Sequence, residues 1–208
     1  MLSNSGITWA RKSTQYELLQ YRLMFSNTRH WSRLFEYPWA AANGKAGPGM
    51  WILDAAGGDG QLQTYLADTG AHVINADMDQ SRFGKKRDKR IFLHAANVEE
   101  LNFLDNSFDR VFCISVLEHL LNPRRAIDEL YRVLDHSGRL IITFDVANYR
   151  RWNHGIDIDR AKEIVETFGL TVPEEPDDIL ECSLPEIDPT PEEPKEVKLK
   201  VLCFFVDK

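Results

Sequence analysis

The stretch Trp51-Ile-Leu-Asp-Ala-Ala-Gly-Gly-Asp-Gly60 limits what this chain can become. Trp51, Ile52 and Leu53 form a short apolar run ending at Asp54. Glycines follow at 57, 58 and 60, and Leu62, Tyr65 and Leu66 then recur at helical spacing. This pattern predicts a buried strand, a tight turn and the first turn of a helix. Glycine permits positive φ and close approach to the main chain, and the unpaired N–H groups of a helix start face whatever sits there. A dinucleotide frame, G-x-G-x-x-G, begun at Gly58 finds Gly60 but meets Gln63 where its third glycine belongs. A nicotinamide-dependent oxidoreductase is therefore disfavoured.

Further strand–helix steps follow. Ala71-His-Val-Ile-Asn-Ala76 predicts a second strand ending at Asp77, and Arg90-Ile-Phe-Leu-His94 a third. Phe108 to Ile114 predicts a fourth. Asn122 to Leu134 predicts an amphipathic helix with Pro123 in its first turn, where proline's missing N–H costs nothing. Asp135-His-Ser-Gly138 is expected to end that helix, and Arg139 to Phe144 to form a fifth strand. A helix over 157–168 closed by Gly169 comes next, then an edge strand at 179–183 and a final strand over 197–206. Strand–helix alternation implies parallel strands with helices on both faces. The proline- and glutamate-rich runs at 173–176 and 185–194 read as exposed loops.

Upstream of residue 50, Tyr16, Leu19, Leu23 and Met24 predict an amphipathic helix, and the segment Trp31 to Trp39 is unusually aromatic. Two readings stay open for those aromatics: a cap on the core, or a lid over a bound ligand. With 208 residues the chain accommodates one α/β domain. A net charge of −7 argues against nucleic-acid binding. No apolar run approaches the roughly 18 residues of a membrane span, and the first residues do not resemble a secretion signal. Cys113, Cys182 and Cys203 are an odd, scattered set, without a C-x-x-C or histidine cluster. A reducing cytoplasmic setting and no bound metal are expected.

Asp54, Ala56, Gly58 and Gly60 follow the D-x-G-x-G-x-G strand-end pattern with alanine in the first glycine's place. With the blocks Ser115-Val-Leu-Glu-His119 and Arg132-Val-Leu134, the sequence resembles the class I S-adenosylmethionine-dependent methyltransferases, particularly small type 11-like members that act mainly on small molecules. The likeness covers about residues 50–145 well and the flanks loosely. It implies a Rossmann-like three-layer αβα sandwich with a mostly parallel seven-stranded sheet and an antiparallel strand near the C-terminal edge. It also implies a lid segment over 1–49 ahead of a methyltransferase domain over 50–208, within a single domain overall. Alanine at 56 keeps the close backbone approach but argues against positive φ there.

The resemblance further implies S-adenosyl-L-methionine as cofactor. Asp54 would favour its cationic part, and Ala56, Gly57, Gly58 and Gly60 would pass under its amino-acid arm. Asp77, 23 residues after Asp54, would hold the ribose with Met78 beside it and Asp79 as fallback. Asn97 and Val98 would hold the adenine, and Ile114 and Ser115 would lie by the sulfonium. Glu36, Tyr37 and Trp39 are candidates for lid or acceptor contacts. His119 is the candidate base, its alternative role being to pack the turn after the fourth strand; His30 and His154 are weaker candidates. The activity implied is methyl transfer to an oxygen or nitrogen of a small molecule, such as a glycan or secondary-metabolite precursor. The competing reading is a methyltransferase fold that only binds the cofactor or supports a partner.

Overall fold

The computed structural model describes residues 5–13, 25, 31–82, 88–147, 156–185 and 196–208. The helix expected through Tyr16 and Met24, the histidines His30 and His154, and most of the 185–194 run lie outside these residues. In chain order the strands are β1 (Ser5–Trp9), β2 (Trp51–Ala55), β3 (His72–Asp77), β4 (Ile91–Ala95), β5 (Phe108–Ile114), β6 (Leu134–Ala147), β7 (Glu181–Pro185) and β8 (Glu196–Asp207). The described α-helices are α1 (Arg33–Gly44), α2 (Leu62–Asp68), α3 (Pro123–Val133) and α4 (Ile158–Glu166).

The sheet runs β1-β8-β6-β5-β2-β3-β4, with β7 also on β8. The strands from β6 to β4 are mutually parallel, while β8 is antiparallel to β6, β1 and β7. This is the expected architecture with one strand more than the seven anticipated. The extra strand is β1, which pairs Ser5 with Val206 and Trp9 with Leu202. β7 takes the other end of the same edge, pairing Glu181 with Lys200, and Leu180 N–H donates to Ala10 C=O at 2.8 Å where the two meet. A five-residue edge strand that contributes one fully covered side chain, Trp9, carries little periodicity to read.

Each face of the sheet is buried, as parallel strands require. On one face Leu53, Val111, Leu140 and Ile142 pack against Ala126, Ile127 and Leu130 of α3 and Ile164 and Val165 of α4. On the other, Ile52, Val73, Phe112 and Ile141 meet Phe35, Ala40 and Ala41 of α1 and Leu62 and Leu66 of α2. Cys113 and Cys203 are buried in these layers. Helix starts follow local rules: the Asn122 side chain accepts from Arg125 N–H ahead of Pro123, and Asp157 accepts from Arg160 N–H at 2.8 Å.

Strand β6 begins earlier than expected. Leu134 already pairs with Phe108, and the register then shifts so that Arg139 pairs with Arg110. Residues 135–138 bulge out between these pairs, with Asp135 accepting from Ser137 N–H and Oγ–H at 2.9 and 2.8 Å. Helix α1 absorbs most of the aromatic N-terminal segment and carries Pro38 within it.

Candidate active site

Strand ends in a parallel sheet leave a crevice where adjacent connections diverge. Here the carboxyl ends of β2, β3 and β5 open onto a cavity of about 390 Å³. Asp54, Ala56, Gly57, Gly58, Gly60, Asp77, Met78, Asn97, Val98, Ile114 and Ser115 all line it, as do Tyr37 and His119. Glu36 and Trp39 do not. Glu36 is fully buried, and Trp39 lies in the core with its ring 6.5 Å from that of Phe205. The expected lid is, at these two positions, a helix packed beneath the site, because α1 turns its face with Glu36, Ala40 and Gly44 onto the sheet.

The turn after β2 is a locked loop. Asp77 accepts from Gly58 N–H through Oδ2 at 3.0 Å and from Asp79 N–H through Oδ1 at 2.8 Å. Asn75 Nδ2 donates to Gly58 C=O at 2.7 Å, and Gln63 Nε2 donates to the carbonyls of Gly57 and Gly58 at 3.0 and 3.2 Å. Gln63, which breaks the dinucleotide frame, thus ties the turn together. Gly57 sits so close to Asp54 that a Cβ there would lie 2.1 Å from Oδ2, and one at Gly60 would lie 2.6 Å from the Tyr37 hydroxyl.

Ala56 corrects an expectation. Its φ is 54°, the left-handed region, because its N–H must donate to Ala76 C=O at 2.6 Å while the chain reverses toward Gly57. An L-residue pays about 1–2 kcal/mol for that conformation. Ala56→Gly is accordingly expected to raise stability by roughly 1 kcal/mol, offset partly by unfolded-state entropy. Urea unfolding measures it, and a fall in stability would show that the methyl group's packing outweighs the strain.

Arg33 was not legible as a site residue, yet it lines the cavity. Its Nη1 donates to Ser115 Oγ and to Glu36 Oε2. Glu36 also accepts from Ser32 Oγ at 2.7 Å, from Ser115 Oγ at 2.6 Å and from Thr143 Oγ1 at 2.5 Å. Burial opposes a charge on Glu36, but Arg33 and the hydroxyls of Ser115, Thr143 and Ser32 hold its carboxyl below the usual range. Other acids lack such support. Burial pushes Asp54 up to about 7 against the pull of Gln63 and Arg33. It also pushes Asp145 up to about 7, with Glu36 adding to the rise. Glu118, buried beside Asp145, is raised well above its ordinary value.

These shifts fix a sign. Around pH 4 to 7 the unfolded chain releases protons that folded Asp54 and Asp145 keep, so the ligand-free fold loses stability as pH rises through that window. Asp145→Asn should flatten this slope in urea titrations between about pH 4 and 7. An unchanged slope would mean Asp145 is already ionised in the fold.

Asn97 uses its side-chain oxygen to accept from Glu99 N–H at 3.0 Å, so the expected adenine acceptor also shapes its own turn. His119 ends the short turn Leu117–His119 after β5 and is exposed at the cavity.

Residues 53–142 match the family model described as methyltransferase domain. Over these residues the chain is similar to a methyltransferase domain. Over 96 residues it is 40% identical to a demethylmenaquinone methyltransferase of Clavibacter sepedonicus, covering 44% of this chain and 39% of that relative. Over 130 residues it is 32% identical to the same-named protein of Renibacterium salmoninarum, covering 62% and 53%. The chain thus spans about half the length, or less, of these relatives. A solved phosphoethanolamine N-methyltransferase 2 of Haemonchus contortus, in complex with S-adenosyl-L-methionine, shares the fold with a TM-score of 0.61 at 16% identity, over 93% of this chain and 57% of that one. The matched methyltransferase domain contains the glycine turn, Asp77, Asn97, Ser115 and His119, while α1, β7 and β8 lie outside it.

Proposed function

We propose that this protein transfers a methyl group from S-adenosylmethionine to an oxygen or nitrogen of a small molecule. The observation that carries this reading is the chemistry gathered in one cavity. A carboxylate, Asp77, stands at one strand end, a glycine-rich turn stands at the next, and Arg33 and the acid Asp54 stand beyond it. A zwitterionic nucleoside needs that series. When bound, the cofactor supplies an electrophilic methyl on a sulfonium.

The residues of the chain bind and orient. Each Asp77 oxygen spends one lone pair on the loop, leaving the other for a sugar hydroxyl. Asn97 and Val98 form the wall for the base, and Ile114 and Ser115 the wall beneath the reactive centre. Holding the reacting atoms in line is the main contribution such a site makes. His119 lines the cavity beside Val116 and in this reading accepts the acceptor's proton. The acceptor is set by the segments outside the matched domain, so the quinone named for the relatives is one member of a panel that also includes glycan and secondary-metabolite precursors.

Calorimetry with S-adenosylmethionine, its demethylated product and NAD tests the first half: the first two should bind and NAD should not. Incubation with methyl-labelled cofactor and the acceptor panel, read by mass spectrometry, tests the second. Tight binding with no labelled product across the panel would instead support a cofactor-binding or partner-supporting role. His119→Ala is expected to lower turnover by about 10²-fold or more with cofactor affinity nearly constant. Unchanged turnover would remove His119 from the mechanism.

A further inference from the structure

We propose that Arg33 is the recognition point for the carboxylate on the amino-acid arm of the cofactor, an inference that rests on reading the cavity as an S-adenosylmethionine site. The order of strands supplies the direction. Asn97 follows β4, Asp77 ends β3, the Gly57–Gly60 turn follows β2 and Ser115 follows β5, and the sheet runs β4-β3-β2-β5. A nucleoside with its base by Asn97 and its sugar on Asp77 therefore extends its remaining arm toward β2 and β5. There Arg33 reaches over from α1 to donate to Ser115.

That arm carries an ammonium and a carboxylate. At its end of the cavity the acids are Asp54 and Asp59, and Arg33 is the sole lysine or arginine among the described lining residues. Among these residues only Arg33 carries the charge that the arm's carboxylate requires. A guanidinium offers five N–H donors in a rigid fork that fits a carboxylate. Nη1 donates to Glu36 and Ser115, and the guanidinium also hydrogen-bonds the Tyr37 side chain.

The setting also preorganises the group. Glu36 lies fully buried behind Arg33, whose own side chain is 20% exposed. The ion pair therefore presents its positive end to the cavity. The Tyr37 ring sits 5.6 Å from the guanidinium carbon and limits its swing. Little side-chain entropy remains to be lost on binding, which is what makes a fixed charge selective.

The test compares S-adenosylmethionine with decarboxylated S-adenosylmethionine, which keeps the adenosine, sulfonium and ammonium but lacks the carboxylate. Calorimetry at one salt concentration should find the decarboxylated compound roughly 10- to 100-fold weaker on the unmodified protein, the scale of a hydrogen bond to a charged group. Arg33→Lys keeps the charge without the fork and should narrow that ratio. Because Arg33→Met alone would strand buried Glu36, the double variant Arg33→Met/Glu36→Gln is the second arm, with thermal unfolding reporting its integrity. It should bind both compounds within about twofold of each other, near the weak affinity of the decarboxylated one. Equal binding by the unmodified protein, or a folded double variant that weakens both ligands alike and keeps the ratio, overturns the assignment. If the unmodified protein binds neither compound, the cofactor reading itself fails and takes the assignment with it.

Discussion

Glu36→Ala is expected to destabilise the protein by roughly 3–5 kcal/mol, the cost of breaking a buried ion pair and stranding its partner. The mechanism is local and countable. Its carboxylate accepts from Arg33, Ser32, Ser115 and Thr143, so removing it leaves one guanidinium and three hydroxyls to find other acceptors in a sealed layer. Those hydroxyls belong to α1's approach, the residue after β5, and β6, and the loss therefore loosens a joint between helix and sheet. Glu36→Gln keeps the shape and one acceptor oxygen and should lose distinctly less. Urea unfolding at neutral pH measures both. A loss under about 1 kcal/mol for Glu36→Ala would mean water fills the gap and that the pair contributes no more than a surface salt bridge.

Gly57→Ala is the second large effect, and it falls on the site first. A Cβ at this position meets Asp54 Oδ2 at 2.1 Å, its carboxyl carbon at 2.5 Å and Asn75 Oδ1 at 2.9 Å. Asp54 is buried at the foot of the cavity and holds its place beside the turn, so its carboxyl and the turn must shift together. Overpacking of this kind costs about 1–3 kcal/mol. The shift also withdraws Gly58 N–H from Asp77 and its carbonyl from Asn75 and Gln63, which together hold the loop under the cavity. Turnover should fall by about 10²-fold, since a displacement near 1 Å already has that effect on a preorganised site, and cofactor binding should weaken with it. The stability loss should be shared by the ligand-free protein. Gly60→Ala offers an internal comparison, because its clash is with the Tyr37 hydroxyl at 2.6 Å, on a side chain with more freedom to adjust. If Gly57→Ala bound S-adenosylmethionine normally, the turn would be more plastic than its hydrogen bonds imply.

Both effects depend on buried acids and a base at the foot of the cavity, and the same burial explains the pH response of the ligand-free protein. Asp54 and Asp145 retain protons to about pH 7 because burial disfavours their charge, whereas Glu36 stays ionised because Arg33 and three hydroxyls support it. A cationic ligand placed beside Asp54 favours its ionised form, so binding of S-adenosylmethionine should tighten as pH rises toward 7.

What the sequence by itself determined is the part built from local rules. The apolar run at 51–53, the glycines behind it, the acids at 54 and 77, and the caps at Asn122 and Asp157 are each readable within a few residues. Strand period, turn chemistry and capping act at that range. The cavity wall was legible for the same reason, since every strand of a parallel sheet delivers its last residues to one edge. Tertiary structure alone decided the rest. β1 became a strand because β8 offered it an edge, and nothing inside Ser5–Trp9 requires it. Glu36 and Trp39 were equally suited by type to a rim or a core, and only the seating of α1 on the sheet sent them inward. That seating also brought Arg33 to Ser115, a partner 82 residues away. Ala56 took a glycine's conformation because Ala76 fixed its N–H from the neighbouring strand. In each case the deciding energy is a contact between segments distant in the chain, and no local pattern encodes such a contact.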